Sequence, residues 1–426
     1  MIKRIVVGIV GLVIVVFIVL LLLAWESDIA PQSPPGAETF SQERIDRGRV
    51  LAGIGNCQSC HTTDTDQPYA GGLAFETGFG TLYSTNITPD PDTGIGQWSQ
   101  EAFNRAMREG VSRDGSHLFP AFPYPHFANV SEQDLEDLYA YTMTREAISA
   151  EPPDNTLRFP FSIRLLQAGW KLLYFDGPTL AGDASRGEYL AEGLGHCSAC
   201  HTPRNSVGAE AEGQDYDGAL INDWFAPALS AKQSTPVAWT EDELFLYLRN
   251  GVSVYHGVAA GSMADVVHQG LVEASDEDIR ALARYFHDIN GGGSDAQAAS
   301  QSATAIRTAQ ERTANSLSRG EALFTDGCAS CHYNNPDEPN IMRPEMSLNS
   351  SVTADDPTNL IRFTLEGISD EAGIQGVVMP GYAYWSNADL VALFEFLRET
   401  HTDRPAWDNL EQRIQALREH AGNGKE

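Results

Sequence analysis

Cys57-Gln58-Ser59-Cys60-His61 occurs again as Cys197-Ser198-Ala199-Cys200-His201 and once more as Cys328-Ala329-Ser330-Cys331-His332. Two thiols three positions apart lie on roughly one turn of helix, and the next residue can turn its imidazole toward whatever the thiols hold. That spacing is the attachment pattern of a c-type haem. Cys57, Cys60, Cys197, Cys200, Cys328 and Cys331 would form the thioethers, and His61, His201 and His332 would supply the proximal nitrogen to iron. All six cysteines of the chain lie in these motifs. A zinc site would pair such motifs to reach four ligands, without a histidine after each. A thioredoxin-like redox pair would occur once, near a βαβ pattern. The spacing therefore predicts three covalently bound haem c groups.

At 426 residues the chain has room for about three small domains. Its formal charge of −30 excludes a phosphate-binding surface, so no nucleic-acid partner is expected. The acidity could steer basic partners, but solubility is the simpler account. Ile5 to Trp25 is almost wholly apolar and follows Lys3 and Arg4. About 20 such residues suffice to cross a bilayer. A cleaved signal peptide has a shorter apolar core and a small-x-small site, whereas Ala24-Trp25-Glu26-Ser27 fits that poorly and Trp25 suits an interfacial anchor. An uncleaved anchor in a bacterial inner membrane is favoured, with its positive end cytoplasmic and the haem domains in the periplasm.

An Arg-Gly pair precedes each first cysteine: Arg47-Gly48, Arg186-Gly187 and Arg319-Gly320. Each repeat closes on a helix N-cap with an acidic first turn, at Ser131, Ser275 and Ser386. Apolar residues follow at helical spacing: Leu138, Tyr139 and Tyr141; Leu282, Tyr285 and Phe286; Leu393, Phe394 and Leu397. This is an internal repeat. The expected fold is all-α, with three tandem cytochrome c-like domains behind one N-terminal transmembrane helix. The expected boundaries are anchor and tether 1–30, domain one 40–150, a linker 151–180, and domain two 181–290. A linker 291–314, domain three 315–402 and a short polar tail 403–426 complete the chain. The Gly-, Ser-, Ala- and Gln-rich composition of 291–314 predicts a flexible hinge. The apolar Trp170–Phe175 stretch predicts a short helix, packed between domains or resting at a membrane surface.

Methionine as a second axial ligand raises a haem's potential. Counting 12 residues on from Gly251 and Gly367 reaches Met263 and Met379, both in loops before the closing helix. The same count from Gly110 reaches Phe122, which cannot ligate iron. Met107 and Met143 read as helix core and helix surface. His126 and His117 lie in the right loop, and an open, five-coordinate iron is the remaining option.

Three such units behind an apolar N-terminus resemble the cytochrome c subunits of periplasmic membrane-bound dehydrogenases. The resemblance covers nearly the whole chain past residue 40. Its most specific stretches are Gly80–Asp90, Gly193-Leu194-Gly195-His196-Cys197 and Cys200-His201-Thr202-Pro203-Arg204-Asn205. It implies three haems, reduction by a partner dehydrogenase, and electron delivery to ubiquinone or a terminal oxidase. Pro123–Phe127 and Asp403–Glu411 resemble the branch serving molybdenum/iron-sulfur hydroxylases of aldehydes or N-heteroaromatics, rather than quinoprotein alcohol or flavoprotein gluconate dehydrogenases. The expected role is electron transfer within an oxidoreductase complex, with no substrate chemistry of its own. Rival readings are a haem peroxidase or reductase using an open first iron, and a cytochrome subunit of an oxidase.

Overall fold

A computed structural model describes Ile5 and residues 24–221, 223–314, 316–369 and 377–423. Most of the proposed anchor, Ile5 to Trp25, lies outside the described residues. Among those described, no helix is long and apolar enough to cross a membrane.

The fold is mainly helical and is built from one helix crossing made three times. Helices Gln42–Ile54, Arg186–Glu192 and Arg319–Gly327 lead into the cysteine motifs. Helices Glu132–Met143, Asp276–Ile289 and Asn387–His401 close the repeats. The Arg-Gly pairs explain why these helices meet. A β-carbon on Gly48 would lie 2.0 Å from the carbonyl of Asp137, one on Gly187 2.1 Å from that of Ala281, and one on Gly320 2.1 Å from that of Ala392. Only glycine lets the two backbones pass so closely. The preceding arginine then pairs with an aspartate of the closing helix. Arg47 reaches Asp137 at 2.8 Å, Arg186 reaches Asp278 at 2.7 Å and Arg319 reaches Asp389 at 2.8 Å. Ser131, Ser275 and Ser386 cap the closing helices as their sequences predict, each accepting from the backbone N–H three residues on.

Among the described residues, three antiparallel two-stranded hairpins modify the all-α expectation: Ala74–Thr77 with Gly80–Tyr83, Ala219–Ile221 with Trp224–Ala226, and Val252–Ser253 with Gly257–Val258. Each strand has four residues or fewer, too short to register as a period-2 pattern.

The chain divides into two compact units where three separate domains are expected. One gathers Met1–Ala52 with Cys60–Gly182; the other gathers Gly53–Ser59 with Asp183–Glu426. Two elements weld the second and third repeats into the latter unit. Asn359 brackets Phe225, accepting from its N–H at 2.9 Å and donating to its carbonyl at 2.8 Å, while Trp224 packs on Phe363. The expected hinge 291–314 is the other weld. It holds a 19-residue helix, Asp295–Thr313, capped by Ser294. Ala298, Ser302, Ile306 and Ala309 are buried along one stripe of it, and Ala298 and Ile306 share a core cluster with Val237 and Leu348. Alanine and glutamine suit a helix as well as a linker, and one isoleucine with small neighbours suffices to seat it.

The expected tail is likewise structured. Leu410–Asn423 is helical, with Leu410 and Ile414 in the core of the third repeat. The preceding turn wraps Arg398, a charged residue that is buried. Its guanidinium donates to the carbonyls of Val352, Ala354 and Pro405 and stacks 4.2 Å over Trp407.

Candidate haem sites

Each pair of cysteines sits on a single helical turn, within Cys57–Cys60, at Cys197 before Ser198–His201, and at Cys328 before Ala329–His332. Left-handed residues Asn56 (φ 50°) and His196 (φ 37°) turn the chain into the first and second motifs. None of the six cysteines is in a disulfide. Burial pushes the Cys197 thiol up to about 12 and the Cys328 thiol up to about 11. Redox-active pairs show the opposite, a depressed thiol pKa. Burial thus keeps Cys197 and Cys328 protonated, unlike the activated thiol of a redox pair.

The histidines carry the most telling geometry. Nδ1 of His61 lies 2.7 Å from the carbonyl oxygen of Thr85, Nδ1 of His201 2.7 Å from that of Pro227, and Nδ1 of His332 2.8 Å from that of Pro344. A carbonyl can only accept, so each Nδ1 carries the proton and each Nε2 keeps its lone pair. Desolvation lowers the pKa of all three rings, outweighing the opposing backbone hydrogen bond. Three neutral imidazoles are thus fixed in the tautomer that iron requires, by the outer hydrogen bond that orients metal-binding histidines. The donor set, two thiols and one Nε2 per motif, fits haem c.

The orienting carbonyls are not visible as a motif. Thr85 alone falls in a stretch that sequence singles out, Gly80–Asp90, and the neighbouring Asn86 gives that stretch its physical purpose. Asn86, two percent exposed, accepts from the N–H and hydroxyl of Thr88 and donates to the carbonyl of Ile148 at 2.7 Å, fixing the loop that presents Thr85. In the second repeat Thr202 Oγ1 accepts from the N–H of Tyr216, and Arg204 ties back to the carbonyl of Ala199.

For the candidate second ligands, the structure separates positions that equal counting had joined. Each repeat forms a small antiparallel pairing just after its glycine: Val111 with His117, Val252 with Val258, and Ile368 with Met379. Met379 therefore lies on the returning strand itself. Met263 comes five residues beyond its own pairing, in the short helix Ser262–Asp265. The intervening loop is longer in the third repeat, so the same offset from glycine reaches a different place. Both methionines are half-buried.

In the first repeat, Phe122 occupies the place corresponding to Met263 and packs edge-to-face on Phe127 at 5.3 Å. His126 lies one turn further on, in the short helix Tyr124–Phe127. His117 is not available as a ligand. Lys171 Nζ donates to its Nδ1 at 3.1 Å, and its Nε2 lies 2.8 Å from the carbonyl of Ala24, so both ring nitrogens are engaged. Met107 and Met143 are both buried, Met143 against the expectation of a surface position.

Residues 45–146 and 317–401 match the cytochrome c family, regions that hold the first and third motifs. Across 392 residues the chain is 34% identical to the cytochrome c subunit of the quinone alcohol dehydrogenase of Gluconobacter oxydans, covering 85% of this chain and 80% of that protein. The chain belongs to the cytochrome c subunits of dehydrogenases. The gluconate 2-dehydrogenase cytochrome c subunit of Pantoea cypripedii is 36% identical over 388 residues, covering 83% of this chain and 85% of that one. A subunit of the nicotinate dehydrogenase of Pseudomonas putida is 44% identical over 414 residues, 94% of this chain. The chain spans about a third of that relative's length, 34%. Membership of this family supports covalently bound haem c in the chain.

Proposed function

We propose that the chain is the electron-transfer subunit of a periplasmic dehydrogenase, carrying three haem c groups and passing electrons to ubiquinone or a terminal oxidase. The observation that carries this reading is the triple recurrence of a paired-thiol turn with a histidine whose Nδ1 is held by a backbone carbonyl. Haem c supplies a one-electron carrier at each site when bound. The residues do the rest. The thiols would fix position, His61, His201 and His332 would offer Nε2, and Met263 and Met379 would offer thioether sulfur as second ligands. His126 is the proposed second ligand of the first site. No substrate chemistry is assigned to this chain; its work is placement and tuning.

The dehydrogenase is proposed to be a molybdenum/iron-sulfur hydroxylase acting on an N-heteroaromatic or aldehyde. The Phe122 loop, the Asp403–Glu411 turn and the 44% likeness to the nicotinate dehydrogenase subunit support that branch. Relatives named for alcohol and gluconate dehydrogenases, at 34% and 36%, favour a quinoprotein or flavoprotein partner as the second reading. Ile5–Trp25 is proposed to anchor the chain in the inner membrane.

The test is purification of the native complex in mild detergent, followed by difference spectroscopy of the haem bands on adding substrates. Reduction by N-heteroaromatics or aldehydes, with a molybdenum protein co-purifying, is the expected result. Reduction by alcohols or sugars alone would move the partner to the second reading. Peroxide consumption without any substrate-driven reduction would overturn electron transfer.

A further inference from the structure

The stretch Asn155–Phe175 is unlike the rest of this acidic chain. It holds Arg158, Arg164 and Lys171 and not one carboxylate. Among the described residues of its unit it also carries most of the exposed large apolar side chains. Phe159 is 82% exposed, Leu172 80%, Leu173 72% and Leu166 49%, with Phe161 and Ile163 also uncovered. The helix Leu166–Tyr174 has no buried residue. Exposed apolar side chains gathered within one short stretch point to a contact site rather than scattered exposure.

This helix is not loose. Trp170 packs against Tyr124, Lys171 Nζ donates to the carbonyls of Gly110 and Glu109, and Arg164 donates to the carbonyl of His117. The polar side is bolted to the unit while the leucines face outward. A second observation points to what covers them. His117, held by Lys171 at one nitrogen, meets the carbonyl of Ala24 at the other. The chain beyond is pinned too, with Arg105 donating to the carbonyl of Ser27 and the N–H of Ile29 donating to that of Arg113. Ala24 is where the apolar run from Ile5 ends, and neighbouring Trp25 is 76% exposed. One imidazole thus links the mouth of that run to the helix with the bare leucines.

We propose that Phe159–Tyr174 rests on the lipid bilayer as an interfacial element, with Phe159, Leu172 and Leu173 entering the acyl boundary and the exposed Arg158 meeting anionic headgroups. Trp25 lies at headgroup depth beside it. Lysine and arginine on the polar side with leucine and phenylalanine on the other is the composition of helices that lie in the interface, and basic groups near the surface draw anionic lipid. The element deepens the proposed anchoring and rests on it for the source of the bilayer. It would hold the first unit against the membrane and not merely tethered to it.

The test uses the full-length chain in its native membranes, with a photoreactive benzophenone amino acid placed at Leu172, at Phe159, or at Leu317 as an exposed control in the other unit (99% exposed). Irradiation is expected to give phospholipid adducts at positions 172 and 159 and none at 317. Leu172→Glu with Leu173→Glu should abolish the adduct at 159 while the haem content stays unchanged. Adducts to a polypeptide at 172 would overturn the proposal, as would no adduct at 172 from a probe shown to react in detergent. Alkaline extraction of the same membranes separates the two ideas: release of the unmodified chain would sink the anchor, whereas lipid adducts report on the interfacial helix alone.

Discussion

Nδ1 of His201 lies 2.7 Å from the carbonyl oxygen of Pro227, 26 residues further along the chain. That contact, with its counterparts at His61 and His332, makes each motif a separate site. Replacing Cys197 and Cys200 together by serine should therefore remove one haem and leave the others. A pyridine haemochrome assay should read a fall from three haems per chain to two, and the same for either other pair. A starting stoichiometry of two would show that one motif is not used.

The thioether ligands are open to a test of potential. Methionine raises a haem's potential relative to histidine. Met263→His and Met379→His should each lower one midpoint in a redox titration and leave the remaining two in place. His126→Ala should change the spectrum of the first haem only; an unchanged spectrum and potential would remove His126 from the ligand set.

The helix crossings give a stability prediction. Gly320→Ala would put a methyl 2.1 Å from the carbonyl of Ala392. Overpacking of this kind costs about 1–3 kcal/mol. Gly78, whose added methyl would meet nothing within 4 Å, is the control. The urea midpoint should fall for the first and hold for the second.

Helix Asp295–Thr313 can be tested in the same way. Ile306 is completely buried, and truncating such a side chain to alanine costs about 2–5 kcal/mol. Ile306→Ala should destabilise the unit that holds the second and third repeats and expose the segment to protease. A flexible linker would tolerate the change without effect.

Two buried imidazoles set an acid limit. Burial depresses His401 to about 4 and His256 to about 3, and His256 lies flat on Trp239 at 3.6 Å with neither ring nitrogen hydrogen-bonded. Unfolding raises both toward the ordinary 6.5, so the unfolded chain binds more protons below that pH. Their contribution to stability is intact above about 6.5 and is lost as the pH falls toward 4 and 3. His401→Gln should flatten the acid side of a plot of urea midpoint against pH; an unaltered slope would count against it.

What the sequence determined by itself is local. A thiol pair with its histidine spans one helical turn, and a serine cap with its acidic turn spans another, so short-range spacing carries them. The Arg-Gly pair was legible as a repeat but not as a crossing, because the carbonyl that excludes a side chain there lies on a helix some 70 to 90 residues away. Only the tertiary structure decided which carbonyls orient the three histidines, 24, 26 and 12 residues downstream. It also decided that equal counts from Gly251 and Gly367 end in unequal places, since a loop can lengthen without altering the residues at its ends. The same holds for residues 295–313, whose composition suits either a tether or a helix. What settles them is the depth at which Ile306 is buried beside Val237 and Leu348, and burial against distant residues is not a property of a segment alone.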